Sequence, residues 1–430
     1  MKIKTKEISY AEVLKLSQTK KKIKPKKPNM LFRTLLKIVS MPELIATGFR
    51  CEKIGMDKLG KKEPCLILMN HSSFIDMKIA ASVLYPRPFN IICTTDGFVG
   101  KRFLMRQLGC IPTNKFVPDF GLVKQMKHVL TKLKSSVLMY PEAGYSFDGT
   151  ATVLPDNVGK LIKFLGVPVV MIRTSGAFAR DPLYNNLQKR KVKVSAVMEY
   201  IISPEQTKEC SAEELQEIAE SNFRFDGFRW QQESNVEINE KFRADHLDRV
   251  LYKCPDCLDE GKMTGLGTKI SCSSCGSEHE LTKQGFLKKL QGSEIFRHVP
   301  DWFNWQRSCV KTEIEQGRYS LDTEVDIYML VDTKRLYKVG SGRLVHNSDG
   351  FTLTGCDGEL TYTQKPLASY TLNSDFYWYE IGDVISIGDI NVLYYCFPKN
   401  SNTPVSKARL AAEELYKLSH TQLHGEKALT

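Results

Sequence analysis

Between residue 60 and about residue 200, short apolar runs alternate with amphipathic stretches. Cys65-Leu-Ile-Leu-Met69, Phe89-Asn-Ile-Ile-Cys93, Ser136-Val-Leu-Met-Tyr140, Val167-Pro-Val-Val-Met-Ile172 and Lys191-Val-Lys-Val-Ser-Ala-Val-Met198 have the length and branching of buried strands. Apolar residues at helical spacing predict helices from Lys78 to Leu84 and from Gly121 to Leu133. Ser211-Ala-Glu-Glu214 reads as a capping box that opens a closing helix through Ala219. Strands that alternate with helices predict an α/β layer with a largely parallel sheet, because parallel neighbours need crossover connections.

From about residue 309 the period becomes two. Val325 to Val331, Leu336 to Val339, Phe351 to Thr354, Glu359 to Tyr362, Phe376 to Tyr379 and Val392 to Phe397 read as strands. Turns are predicted at Gly340-Ser-Gly342 and Asn347-Ser-Asp-Gly350, and a helix from Lys407 to Lys417. This pattern resembles a pleckstrin-homology-like antiparallel β barrel capped by a C-terminal helix. At 430 residues the chain exceeds what one core usually serves, so several cores are expected.

The formal net charge is +12, and much of it lies early. Lys20, Lys21, Lys22, Lys24, Lys26 and Lys27 crowd around Pro25 and Pro28, just before the apolar helical pattern of Met30 to Val39. A basic arm followed by an amphipathic helix suits docking on an anionic membrane surface; a plain core helix is the other reading. Arg33, Lys37, Pro42 and Glu43 interrupt every window near the N-terminus that could span a bilayer. The first residues have no apolar signal core, so the expected place is the cytoplasm, at the inner face of the membrane.

Four of the twelve cysteines form paired knuckles, Cys254-Pro-Asp-Cys257 and Cys272-Ser-Ser-Cys275. The spacing predicts a zinc ribbon, in which four thiolates close a tetrahedral shell around a structural zinc ion. Lysines and acids balance between Lys253 and Leu281, so nucleic acid is not an expected partner. The other eight cysteines read mostly as small buried apolar residues. His279, His298 and His346 read as surface or packing residues, and Trp302-Phe-Asn-Trp305 as a cap on the β domain.

The candidate chemistry follows the first strand, in Asn70-His-Ser-Ser-Phe-Ile-Asp76. The spacing of His71 and Asp76 does not put both on one helix face, so His71 belongs in the turn and Asp76 in the first helical turn. From there the carboxylate can accept the proton of one imidazole nitrogen and leave the other as a general base. The same residues permit a blander reading, with Ser73 and Asp76 as a capping box and His71 as a packed core residue.

His71-Ser-Ser-Phe-Ile-Asp76 resembles the HxxxxD signature of the glycerolipid acyltransferases, the PlsC-like lysophosphatidic acid acyltransferase type. Gly109-Cys-Ile-Pro-Thr-Asn-Lys115 resembles the second block of that family, Tyr140-Pro-Glu-Ala-Gly-Tyr-Ser146 the third (FPEGTRS), and Gly166-Val-Pro-Val-Val170 the fourth. The resemblance spans about residues 60 to 200. It implies that His71 takes the proton of an acceptor hydroxyl, which attacks the thioester of acyl-CoA or acyl-carrier protein, with Asp76 orienting the base. It also implies that Gly109, Lys115, Glu142, Ala143 and Gly144 form the acceptor site.

The blocks depart from the family at telling positions. Ala143 replaces the usual glycine, Tyr145 the usual arginine, and Lys115 an arginine. Lysine binds phosphate as a point charge and cannot form the bidentate fork. Either Lys101, Arg102, Arg106 or Arg173 compensates, or the acceptor is not a simple phosphomonoester.

The resulting expectation is a multidomain peripheral membrane acyltransferase. It comprises a basic arm and membrane-docking helix at 1–50, an acyltransferase domain at 51–235, a zinc ribbon at 250–285 and the PH-like β domain at 295–420. Its acceptor is a lysophospholipid-type lipid, 1-acylglycerol-3-phosphate first. A glycolipid acceptor, or a non-catalytic lipid-binding scaffold, is the alternative.

Overall fold

The computed structural model describes residues 2–18, 23–117, 119–400 and 404–427; Lys20, Lys21 and Lys22 of the basic run lie outside them. The N-terminal sheet contains β1 (Arg50–Ile54), β2 (Leu66–Met69), β3 (Phe89–Thr94), β4 (Cys110–Thr113), β5 (Ser136–Met139), β6 (Val169–Ser175) and β7 (Ser195–Ile202). Its spatial order is β1-β7-β6-β2-β5-β3-β4. The five strands from β6 to β4 are parallel, whereas β7 runs antiparallel to β6 and carries β1 at the edge.

Successive residues of the central strands feed two cores, because side chains alternate across a pleated sheet. Ile67, Met69, Leu138, Val170 and Ile172 join Leu44 and Ile79 on one face. Leu66, Leu68, Val137, Val169 and Met171 join Met126, Ile162 and Leu215 on the other. Two-sided burial explains why these strands are apolar runs instead of alternating ones. The pattern missed β1, which is mostly exposed, and β4, which contains Pro112; proline is tolerated there because β4 is the sheet edge.

The C-terminal sheet is antiparallel, in the order Leu360–Gln364, Gly350–Gly355, Leu336–Asn347, Leu321–Leu330, Leu393–Pro398, Gly382–Gly388 and Asn373–Trp378. Gly340-Ser-Gly342 is not a turn. The strand Leu336–Asn347 runs straight through it, and a Cβ on Gly342 would meet the Thr354 carbonyl oxygen at 2.1 Å, so a residue without one is required by close strand approach. The helix Val405–Lys427 follows. The first fifty residues divide in two: Thr5–Glu7 adds in parallel to Leu336–Asn347, and the helix Tyr10–Ser17 buries Val13, while Met30–Ala46 packs beside Asp76–Val83.

The cores are less independent than the length suggests. One buried cluster runs from Phe147, Phe178 and Tyr184 through Ile270 and Trp302 to Val325 and Leu410. Trp302 does not cap the β domain; it is wholly buried, and its Nε1 donates to the Lys253 carbonyl oxygen at 2.9 Å, next to Cys254. The three isolated histidines all pack inside: His279 lies edge-on to Trp302, His298 bonds Asp226 at 2.8 Å, and His346 stacks on Phe351 at 3.6 Å.

The C-terminal sheet also covers the loops at the C-terminal ends of β3, β4 and β5. The Tyr379 hydroxyl donates to Asp96 Oδ2 at 3.0 Å, Asn114 Nδ2 donates to the Asp389 carbonyl oxygen at 3.2 Å, and the Phe376 ring lies 4.2 Å from that of Phe147.

Candidate active site

Strand register brings His71 and Glu142 together. Leu68 of β2 lies opposite Met139 of β5, and each candidate residue comes three positions later. Two parallel neighbours therefore deliver them side by side at the carboxyl edge of the sheet, where open α/β sheets hold their ligands. The His71 amide donates to Glu142 Oε2 at 2.8 Å, and the Thr152 amide donates to Oε1 at 2.9 Å. Both oxygens of this fully buried side chain are thus engaged by backbone. Burial pushes its carboxyl up to about 7, against the amide bonds that favour its charge. Thr152 carries no sequence signal for this role; only the fold brings it there.

Asp76 begins the helix Asp76–Val83 and is buried. Its Oδ2 accepts from the amides of Ser72 at 2.8 Å and Ser73 at 3.0 Å, and lies 3.1 Å from His71 Nδ1. A carboxylate that already receives two N–H groups serves as an acceptor, so Nδ1 carries the hydrogen and the lone pair falls on Nε2. The His71 side chain remains 22% exposed, within reach of a substrate. The capping reading is realised in part, since Asp76 does bind the Ser73 amide; Ser73 Oγ, however, accepts from Ile75 at 3.4 Å. One carboxylate fastens both the turn and the imidazole.

Two aromatic rings enclose His71. Tyr140 stacks on it with centroids 4.1 Å apart, and Tyr145 lies at 4.3 Å. Tyr145 was legible only as a place where the third block departs from the family pattern, and Tyr140 carried no signal for this contact. Burial, followed by the charges of Asp76 and Asp375, pushes the Tyr145 phenol well above its ordinary value, so a neutral ring stands where the family has a cation. Ala143 adopts φ 52°, the left-handed conformation that glycine takes without penalty.

Gly144 faces open space, with no atom within 4 Å of where a Cβ would stand. Lys115 follows the carboxyl end of β4, on the same edge as His71. Gly109 precedes β4, separated from that edge by about 13 Å of strand. It packs against Pro28 and Asn90 and is not brought to the site. Arg173, a substitute cation on sequence grounds, is committed to Glu199 and Asn222.

The four ribbon cysteines converge elsewhere. Cys254 and Cys275, and likewise Cys257 and Cys272, have Sγ atoms 3.7 Å apart, and all four lie within 4.8 Å of one another. A tetrahedron with metal–sulfur bonds of about 2.3 Å has edges of about 3.8 Å, so this group could hold a metal ion. A disulfide would need about 2.05 Å.

Comparison with known proteins bears on the same segment. The family model described as Acyltransferase matches residues 50–175. Among solved structures, the chain is similar to the crystal structure of the 1-acyl-sn-glycerophosphate (LPA) acyltransferase PlsC from Thermotoga maritima. The identity is 15% over 44% of this chain and 76% of that one, with a TM-score of 0.36. Comparison with curated proteins gives no match. Among the described residues, no helix is long and apolar enough to cross a membrane. This chain carries, at residues 50–175, a domain of the acyltransferase family.

Proposed function

We propose that the chain moves a fatty acyl group from acyl-CoA or acyl-carrier protein to a hydroxyl of a lysophospholipid-type acceptor. The observation that carries this reading is the 3.1 Å contact of His71 Nδ1 with Asp76, which leaves Nε2 as base on a side chain that is 22% exposed. Nε2 takes the acceptor's hydroxyl proton as its oxygen attacks the thioester carbonyl, and Asp76 stabilises the imidazolium formed. When the tetrahedral intermediate collapses, the carbon–sulfur bond breaks and the imidazolium proton is available to the departing thiolate. Glu142 supports the base indirectly, by anchoring the His71 backbone.

The appended parts place this chemistry. The helix Met30–Ala46 exposes Met30, Leu31, Leu35, Ile38, Val39 and Ile45 beside Lys24, Lys26 and Lys27, a combination that suits an anionic lipid surface. Residues 51–235 perform catalysis, 250–285 fold around a structural zinc ion, and 295–420 form the PH-like domain. The test is incubation of purified protein with radiolabelled acyl thioester and membrane lipid extracts, beside His71→Ala. Acylated lipid should form with the unaltered protein only; equal product from both would sink the reading.

A further inference from the structure

The C-terminal sheet packs against the loops that carry Lys115 and Tyr145, beside the His71 site. The Tyr370 ring, from the loop preceding strand Asn373–Trp378, lies 5.6 Å from Phe116, the neighbour of Lys115. Phe376 lies 4.2 Å from Phe147, two residues beyond Tyr145. Asp375 lies between these contacts in sequence. One of its oxygens accepts from the Phe376 amide at 3.0 Å. Burial raises its carboxyl to about 6, and Lys115 is the first charge that opposes this.

Carboxylates and already paired cations surround Asp375. Asp96 and Asp383 also act on Asp375. Arg249 is held by Asp383 at 3.2 Å, and Arg180 by Asp181 at 3.0 Å. Tyr145 has removed the cation of the third block. Among the described residues, Lys115 makes no ion pair with any carboxylate, Asp375 included. A dianionic phosphomonoester held by Lys115 would thus also face the carboxylate of Asp375. An acceptor with one negative and one positive charge would satisfy Lys115 and Asp375 together.

Resting on the acyl-transfer reading, we infer that Asp375 completes the acceptor site from the C-terminal sheet, and that with Lys115 it selects a zwitterionic lysophospholipid. The phosphodiester of that lipid meets Lys115 and its amine meets Asp375. Selectivity at the catalytic edge of residues 50–175 is then set by a residue about two hundred positions downstream of that segment.

The experiment uses the full chain, acyl-CoA and three lysolipids of one acyl length: lysophosphatidic acid, lysophosphatidylglycerol and lysophosphatidylethanolamine. The amine-bearing lipid should give the highest kcat/KM. Asp375→Asn keeps the Phe376 bond and should raise KM for that lipid alone by about tenfold, with kcat unchanged. Lys115→Gln should raise KM for both phosphodiesters alike. Lysophosphatidic acid as the best acceptor, or equal effects of Asp375→Asn on both phosphodiesters, overturns the inference. Calorimetric binding of short-chain forms separates the two readings. Amine-selective binding lost in Asp375→Asn without turnover sustains the headgroup assignment and sinks acyl transfer; binding indifferent to the amine sinks the headgroup assignment.

Discussion

Tyr140 lies against the face of His71, with ring centroids 4.1 Å apart and planes inclined by 25°. An aromatic face there stabilises the imidazolium formed during transfer by about 0.5–2 kcal/mol. The Tyr140 hydroxyl is buried and has no hydrogen-bond partner among the described residues. Tyr140→Phe should therefore keep the activity and stabilise the fold by up to about 1 kcal/mol, while Tyr140→Leu should lower kcat by about 2- to 30-fold. Steady-state kinetics and urea unfolding of both variants check this; equal kcat for all three proteins would remove the ring from the mechanism.

Asp76→Asn preserves size but lets an amide N–H face His71 Nδ1, which forces the hydrogen onto Nε2, where the base is needed. Activity should fall by about 10²–10⁴-fold. A loss of less than threefold in the acyl-transfer assay would mean that Asp76 only caps its turn.

Ala143 holds a left-handed backbone at φ 52°, a conformation that costs a non-glycine residue about 1–2 kcal/mol. Part of that is offset by the greater freedom glycine has in the unfolded chain. Ala143→Gly, which restores the family residue, should raise unfolding stability by about 0.5–1 kcal/mol. A lower urea midpoint would show that the Ala143 methyl makes contacts worth more than the strain.

Glu142 links stability to pH. Its carboxyl is raised from 4.5 to about 7 by burial. Below pH 4.5 both states are protonated; between 4.5 and 7 the native state keeps a proton that the unfolded chain has shed. Native stability therefore falls with rising pH across this window, by on the order of 3 kcal/mol, and is flat in this term above it. Glu142→Gln should lose about 1–3 kcal/mol at pH 4.5, because an amide group then faces one of the two backbone donors, and this deficit should close toward pH 7 as the wild-type carboxyl loses its own term. Its slope between pH 4.5 and 7 should be shallower. An unchanged slope in the unfolding series would show that Glu142 stays ionised.

The cysteine group ties metal to the shared core. Replacing Cys254 and Cys257 with serine should remove about one equivalent of zinc, measured by atomic absorption. Because Trp302 is buried beside Cys254 in the core that reaches the C-terminal sheet, the variant's thermal midpoint should drop in one transition that includes Trp302 fluorescence. Full metal content in the double variant, or an unmoved midpoint, would contradict a structural metal.

The sequence by itself determined the elements and the chemistry carried by adjacent residues. Apolar runs of strand length marked β2, β3, β5 and β6, because burial on both faces leaves few polar positions. His71 and Asp76 were legible because they act within one turn of chain. The paired cysteine knuckles were legible for the same reason of local spacing.

Tertiary structure decided what depends on register and on packing between distant segments. The pairing of Leu68 with Met139 put Glu142 under the His71 backbone, and the extended run of β4 separated Gly109 from Lys115. Trp302 went to the ribbon and Thr5–Glu7 to the C-terminal sheet. Tyr370 reached Phe116, the neighbour of Lys115, only through docking of that sheet. Hydrophobic period records which face of an element is buried, but not which partner buries it, so the acceptor side of this site emerges only once the chain has folded.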